Sequence, residues 1–190
     1  MASSRFLCFY GLLAGLIASP ASSSEPVDSK GPIDWVKHEI VQRGHCNTAI
    51  ALDANEDGLQ DVVCSYGDRV VLHLAPTWTR EVVLHRFASG RKPCIHSAVL
   101  DVDQDGDLDW AGAVAAEHPF WLENPGTDEA LAGAWTARPI DSTITGIHCL
   151  LAADIDRDGK DDLLVNNFLP EKGLKDSIAW LKVPAKPHLA

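Results

Sequence analysis

The sequence predicts an all-β protein of three repeated units, each a four-stranded antiparallel sheet of the β-propeller blade type. Three observations carry this. A nine-residue acidic loop recurs in register at residues 53, 101 and 154. Short apolar runs rich in β-branched residues flank every loop. The repeat is about 50 residues long, the size of one blade. Composition agrees: 190 residues, 46% hydrophobic and 23% charged, form an ordinary globular chain and exclude wholesale disorder or a fibre. The net charge of −11 argues against a nucleic-acid partner, whose phosphates need a basic face.

The N-terminus reads as an export signal over residues 1–21. Arg5 supplies the positive charge, residues 6–18 (FLCFYGLLAGLIA) the apolar run, and Ser19-Pro20-Ala21 the small residues for cleavage near Ala21. The thirteen-residue run is too short for a bilayer, whose core of about 30 Å needs ~20 residues. No later stretch is long and apolar enough either, so the mature chain is expected to be soluble, secreted or periplasmic. Residues 22–34 read as a flexible lead-in, 35–184 as the three blades and 185–190 as a C-terminal tail. Cys8 leaves with the signal. The remaining Cys46, Cys64, Cys94 and Cys149 allow three pairings, with Cys46 and Cys94, equally placed ahead of their loops, able to bridge adjacent blades.

The loops are Asp53-Ala-Asn55-Glu-Asp57-Gly58-Leu59-Gln-Asp61, Asp101-Val-Asp103-Gln-Asp105-Gly106-Asp107-Leu-Asp109 and Asp154-Ile-Asp156-Arg-Asp158-Gly159-Lys160-Asp-Asp162. Hard Ca2+ takes six to eight oxygen ligands, and carboxylates at positions one, three and five converge on one ion when the loop curls tightly. Glycine at position six supplies the turn. Position seven (Leu59, Asp107, Lys160) offers a backbone carbonyl, and the Asp at nine closes the shell, giving up to three calcium sites. Without a cation the crowded carboxylates repel one another. Fourteen of the 27 acidic residues lie in these loops and are read as ligands rather than as catalytic acids and bases. An EF-hand fails, because its bidentate Glu at position twelve is replaced by Cys64, Gly112 and Val165, and because strand-like sequence rather than a helical stripe follows each loop.

Each loop joins a first strand (47–52, 95–100, 147–153), with apolar residues on both parities as if covered on both faces, to a second strand. A third ends in proline: VVLHLAP at 70–76, FWLENP at 120–125 and IAWLKVP at 178–184. A fourth element opens with Trp at 78–87 and 135–141, and residues 35–41 (WVKHEIV) are its counterpart ahead of the first loop. The Trp rings read as blade-to-blade packing.

The loops with their flanking strands, over 35–184, resemble the FG-GAP or VCBS repeats of integrin α-subunit propellers and of secreted bacterial proteins. That resemblance implies calcium at one rim of a propeller, held by Asp53, Asn55, Asp57, Asp61 and their equivalents. The name-giving Phe-Gly and Gly-Ala-Pro elements survive only as Tyr66-Gly67 and Ala75-Pro76, which favours a VCBS-like bacterial protein over an integrin relative.

Propellers close with four to eight blades. Three blades therefore imply a partial propeller continued by further blades, or half of a dimeric six-bladed ring in which each copy lends its 35–41 strand to the other's last sheet. A soft-metal site is a further option at the opposite rim, where His45, Cys46, Cys94, His96, His148 and Cys149 gather. No G-x-S-x-G, H-E-x-x-H or phosphate loop occurs. The function expected is recognition or scaffolding of an extracellular protein or polysaccharide with calcium in a structural role. A polysaccharide lyase, using His45, His96 and His148 with Arg91 and Lys92, is the alternative.

Overall fold

The computed structural model describes residues 35–42, 44–88, 90, 94–114, 117–127, 129–167 and 178–185. The export signal, the lead-in, Arg91, Lys92 and all of the tail but residue 185 lie outside the described residues. The chain divides into Met1–Lys37 and His38–Ala190, and the sheets belong to the second unit.

Among the described residues of this unit are eleven strands and one short 3-10 helix, and no α-helix. The first sheet joins β1 (Cys46–Leu52), β2 (Asp61–Tyr66), β3 (Arg69–His73) and β4 (Glu81–Arg86) in that order. The second joins β5 (Cys94–Leu100), β6 (Asp109–Val114), β7 (Pro119–Glu123) and β8 (Thr136–Pro139), with the helix Glu129–Leu131 leading into β8. The third holds β9 (Ile147–Ala153), β10 (Asp162–Asn167) and β11 (Ile178–Leu181). Every pairing is antiparallel. Each acidic loop thus links the first strand of a sheet to the second, as the sequence predicts. Gly67, at φ 60°, leads the two-residue turn between Tyr66 and Arg69, the tight hairpin that left-handed glycine permits.

The first strands are neighbours, β1 beside β5 and β5 beside β9. Thr48 and Ser97 share a hydroxyl hydrogen bond of 2.7 Å between β1 and β5. Register aligns equivalent rows across the sheets: Ile50-Val63-Leu72, Ala98-Ala111-Trp121 and Leu151-Leu164-Trp180. In the first sheet this row packs with Trp110, Leu122 and Trp135 of the second. In the second sheet it packs with Leu150, Leu163 and Val165 of the third. These seams are the two larger cores, beside a small cluster of Cys64, Tyr66 and Val71 in the first sheet, and each fully buried Leu or Val contributes ~1.5–3 kcal/mol. Gly112 is required in the first seam, because a Cβ there would lie 2.2 Å from the Trp110 ring and 3.0 Å from the Cys94 sulfur.

Four expectations are corrected. Residues 35–42 form no strand: residues 35–39 are all exposed, so the segment buries too little apolar surface to be held as one. The outer first strands β1 and β9 are not covered on both faces and each leaves several residues exposed, whereas β5 of the middle sheet has none exposed and β6, with a sheet on either side, is buried at all six residues. Among the Trp residues, Trp110, Trp121 and Trp135 pack in seams, but Trp180 and Trp35 are exposed. No Cys46–Cys94 bridge forms, and Cys46, Cys64, Cys94 and Cys149 are all free thiols. Cys94 turns into the first seam, where its backbone amide donates to the Ser65 hydroxyl at 3.0 Å and burial pushes its thiol well up, while Cys46 lies against Cys64, whose thiol burial raises to about 12.

Candidate metal centre

The three loops share one backbone design. Position six is left-handed in each, at φ 85° for Gly58, 108° for Gly106 and 90° for Gly159. Position four is left-handed as well, in Glu56, Gln104 and Arg157, at a cost that non-glycine residues rarely bear. The Asp at position one satisfies the turn: Asp53 accepts the amides of Asp57 (3.0 Å) and Gly58 (2.8 Å), Asp154 those of Asp158 and Gly159 (both 3.0 Å), and Asp101 that of Gly106 (3.2 Å). Position five accepts the amide of position seven in every loop, at 2.9, 3.2 and 3.1 Å.

The Asp at position nine begins the second strand and is buried throughout, as Asp61, Asp109 and Asp162. In the first two loops it ties the turn to the end of the third strand. Asp61 accepts the amides of Ala54 (3.3 Å) and Ala75 (2.7 Å), and Asp109 those of Val102 and Asn124 (both 2.8 Å). Asn124 adds a link between blades, donating its amide hydrogens to Ala54 O (3.1 Å) and Leu108 O (3.2 Å).

Carboxylates converge in two loops. One ligand oxygen from each of Asp101, Asp103 and Asp109 lies within 4.8 Å of the others, as do those of Asp154, Asp156 and Asp158. In the first loop Asn55 replaces a carboxylate and its side-chain amide donates to Asp57 at 3.1 Å. Burial first, then the neighbouring acids, raises Asp107 to about 7. Burial raises Asp109 to about 8 against the two amides that favour its charge. Asp61 and Asp103 shift upward, again chiefly by burial. Buried oxygens of Asn55, Asp101, Asp107 and Asp162 have no hydrogen-bond partner. An all-oxygen, anionic, under-satisfied set fits a hard divalent cation and no soft one.

The loops differ in their own cations. Lys182 beyond β11 bonds both Asp156 and Asp158, the latter at 2.6 Å. Its ammonium holds Asp158 below the usual carboxylate range. Lys160 donates to Gln104 of the preceding loop, and Gln104 donates to Pro184 O at 3.0 Å. Of the expected positions, Leu59 and Lys160 are exposed and Asp105 lies at the surface of its loop. Position four, Asn124 and Lys182 were not expected; only the threefold recurrence of the loop frame could have flagged position four.

At the other rim the soft-metal expectation is not met. His96 and His148 approach, with ring centroids 5.4 Å apart. No three of His45, Cys46, Cys94, His96, His148 and Cys149 bring ligand atoms together, and these six all lie among the described residues.

Three small antiparallel sheets, each carrying its acidic turn between first and second strands, define a repeat protein of propeller-like blades. The FG-GAP-like repeat family model matches residues 101–165, from the second acidic loop through the third and into β10. That stretch is similar to an FG-GAP-like repeat. No curated protein matches the chain.

Proposed function

We propose that the chain is an exported, calcium-binding propeller module that recognises or scaffolds an extracellular protein or polysaccharide, with calcium in a structural role. The observation that carries the calcium reading is the buried acid of the second loop: Asp107 and Asp109 are both buried, and an oxygen of Asp101 and one of Asp107 have no hydrogen-bond partner. Burying a charge is costly unless it is paired or coordinates a metal.

Asp101, Asp103, Asp105 and Asp109 would hold the ion in the second loop, and Asp154, Asp156, Asp158 and Asp162 in the third. Asp53, Asn55, Asp57 and Asp61 would do so in the first. When bound, calcium supplies the positive charge that lets these acids stay ionised. The chain's part is to fix the turn, through positions one and five, and to anchor it to the third strand through position nine. Export rests on the pattern of residues 1–21, and the ligand class on the family resemblance.

Isothermal calorimetry of the chelator-stripped protein against calcium, paired with thermal melts, tests the reading. Heat of binding and a raised melting temperature are expected with calcium. Neither heat nor thermal protection would end the calcium assignment, and a null result on glycan and matrix-protein arrays would remove the recognition role.

A further inference from the structure

All three first strands begin with the same irregularity. Cys46 pairs with Tyr66 and Thr48 with Ser65, which leaves Asn47 at a bulge, and the pairings Cys94–Val114 and Ile147–Asn167 open the other two sheets in the same way. A bulge bends its strand and re-aims the residue beside it. Cys64 is two residues from Tyr66 in β2, so its side chain leaves the sheet on the face that Cys46 shares with Tyr66. The two thiols meet there and share a hydrogen bond.

The second sheet shows how close these two positions come. Cys94 and Gly112 occupy them, and a β-carbon at residue 112 would stand 3.0 Å from the Cys94 sulfur. Across a disulfide, each sulfur sits about 3 Å from its partner's β-carbon. In the third sheet the same positions hold Ile147 and Val165, both fully buried in one core. Of the three sheets, the first alone places sulfur at both. Cys46 is exposed and Cys64 is buried behind it, so an oxidant meets one thiol first. Between them runs the first acidic loop, in which Asn55 stands for an acid and which, among the described residues, gathers no three carboxylates as the other loops do.

We propose that Cys46 and Cys64 are a dithiol–disulfide site, oxidised by a small-molecule disulfide of the glutathione class, whose closure staples the first hairpin around its acidic loop. The Cys46 thiolate attacks the oxidant, forming a mixed disulfide and releasing one glutathione. Cys64 then loses its proton, its sulfur attacks that of Cys46, and the second glutathione leaves. Two protein thiols are oxidised, one glutathione disulfide is reduced, and the two protons pass to the glutathione thiolates. Burial holds the Cys64 thiol up, which makes closure the slower step. Cys94, enclosed in the first seam, and Cys149, exposed on the third sheet, stay thiols. The bond needs no calcium and goes beyond that reading.

Peptide mass mapping of the full chain, equilibrated with oxidised glutathione or kept in reductant, is the test. No Lys or Arg lies between Gly44 and Arg69, so trypsin leaves both cysteines in one peptide. After oxidation that peptide should be lighter by two hydrogens, and its halves should stay joined when it is cut behind Glu56. The bridged protein should melt roughly 5–10 °C above the dithiol form, in chelator and in calcium alike. Cys46→Ser should remove both effects, and Cys64→Ala should stop oxidation at a glutathione adduct on Cys46. Two alkylatable thiols in the oxidised wild-type peptide would overturn the proposal. So would a lasting glutathione adduct on wild-type Cys46, a link from either residue to Cys94 or Cys149, or a bridged form that melts no higher than the dithiol.

Discussion

Raising the pH of the metal-free protein from 6.5 to 8 should destabilise it. Burial lifts Asp107 to about 7 and Asp109 to about 8 in the folded chain. Unfolded, both acids return near 3.8 and are ionised across this window, so they bind no proton there. The folded state therefore holds protons at pH 6.5 that it has lost by pH 8, and its stability falls as pH rises. Integrated over the window, the loss is about 2 kcal/mol, the larger part from Asp109. For a chain of this size that lowers the melting temperature by roughly 5 °C. His96, lowered by burial and then by His148, acts in the opposite sense and offsets a small part of this loss near the acid end of the window, where the unfolded imidazole still sheds its proton. Scanning calorimetry in chelator at several pH values, repeated in saturating calcium, is the assay. Calcium should abolish the downward trend, because the coordinated acids no longer carry the proton. A metal-free melting temperature that is flat or rises between pH 6.5 and 8 would refute the claim that burial outweighs the hydrogen bonds to these carboxylates and lifts their titration into this range.

Asp105→Ala removes an exposed acid whose carboxylate accepts the Asp107 amide, so it should cost on the order of tenfold in calcium affinity at the second loop while changing the melt in chelator little. Equal losses in both conditions, read from paired melts, would count against a ligand role. Lys182→Met withdraws the ammonium from Asp156 and Asp158 and should tighten calcium at the third loop in titration calorimetry; an unchanged isotherm there would show that Lys182 does not compete. Gly112→Ala forces a methyl into the Trp110 ring and should cost about 1–3 kcal/mol with or without calcium, visible as a lower denaturant midpoint.

The loops and the strand count were legible because both are local. An alternation of Asp with a glycine at position six fixes a turn within nine residues, and each apolar run between turns is long enough for one strand. Contacts made across the fold were not. Asp109 looks like one more ligand in sequence, yet its oxygens already receive the amides of Val102 and of Asn124, fifteen residues on. Lys182 reaches the third loop from more than twenty residues downstream, where nothing in spacing marks it. The Cys46 and Cys94 positions match by count, but a one-residue shift in pairing near the start of each first strand and the turn of Cys94 into the seam separate the thiols. The packing of β5 against β9 that places His96 beside His148 likewise depends on how sheets stack, which one blade's sequence does not encode.

The complete burial of β6 has a consequence for how the molecule comes apart. Its sheet alone is gripped from both sides, while the flanking sheets each hold on by one seam, and nearest-neighbour terms of this kind make repeat chains lose cooperativity. Unfolding should fray inward, with outer blades yielding first and the central one surviving as a remnant, so that a single transition midpoint conceals a staircase.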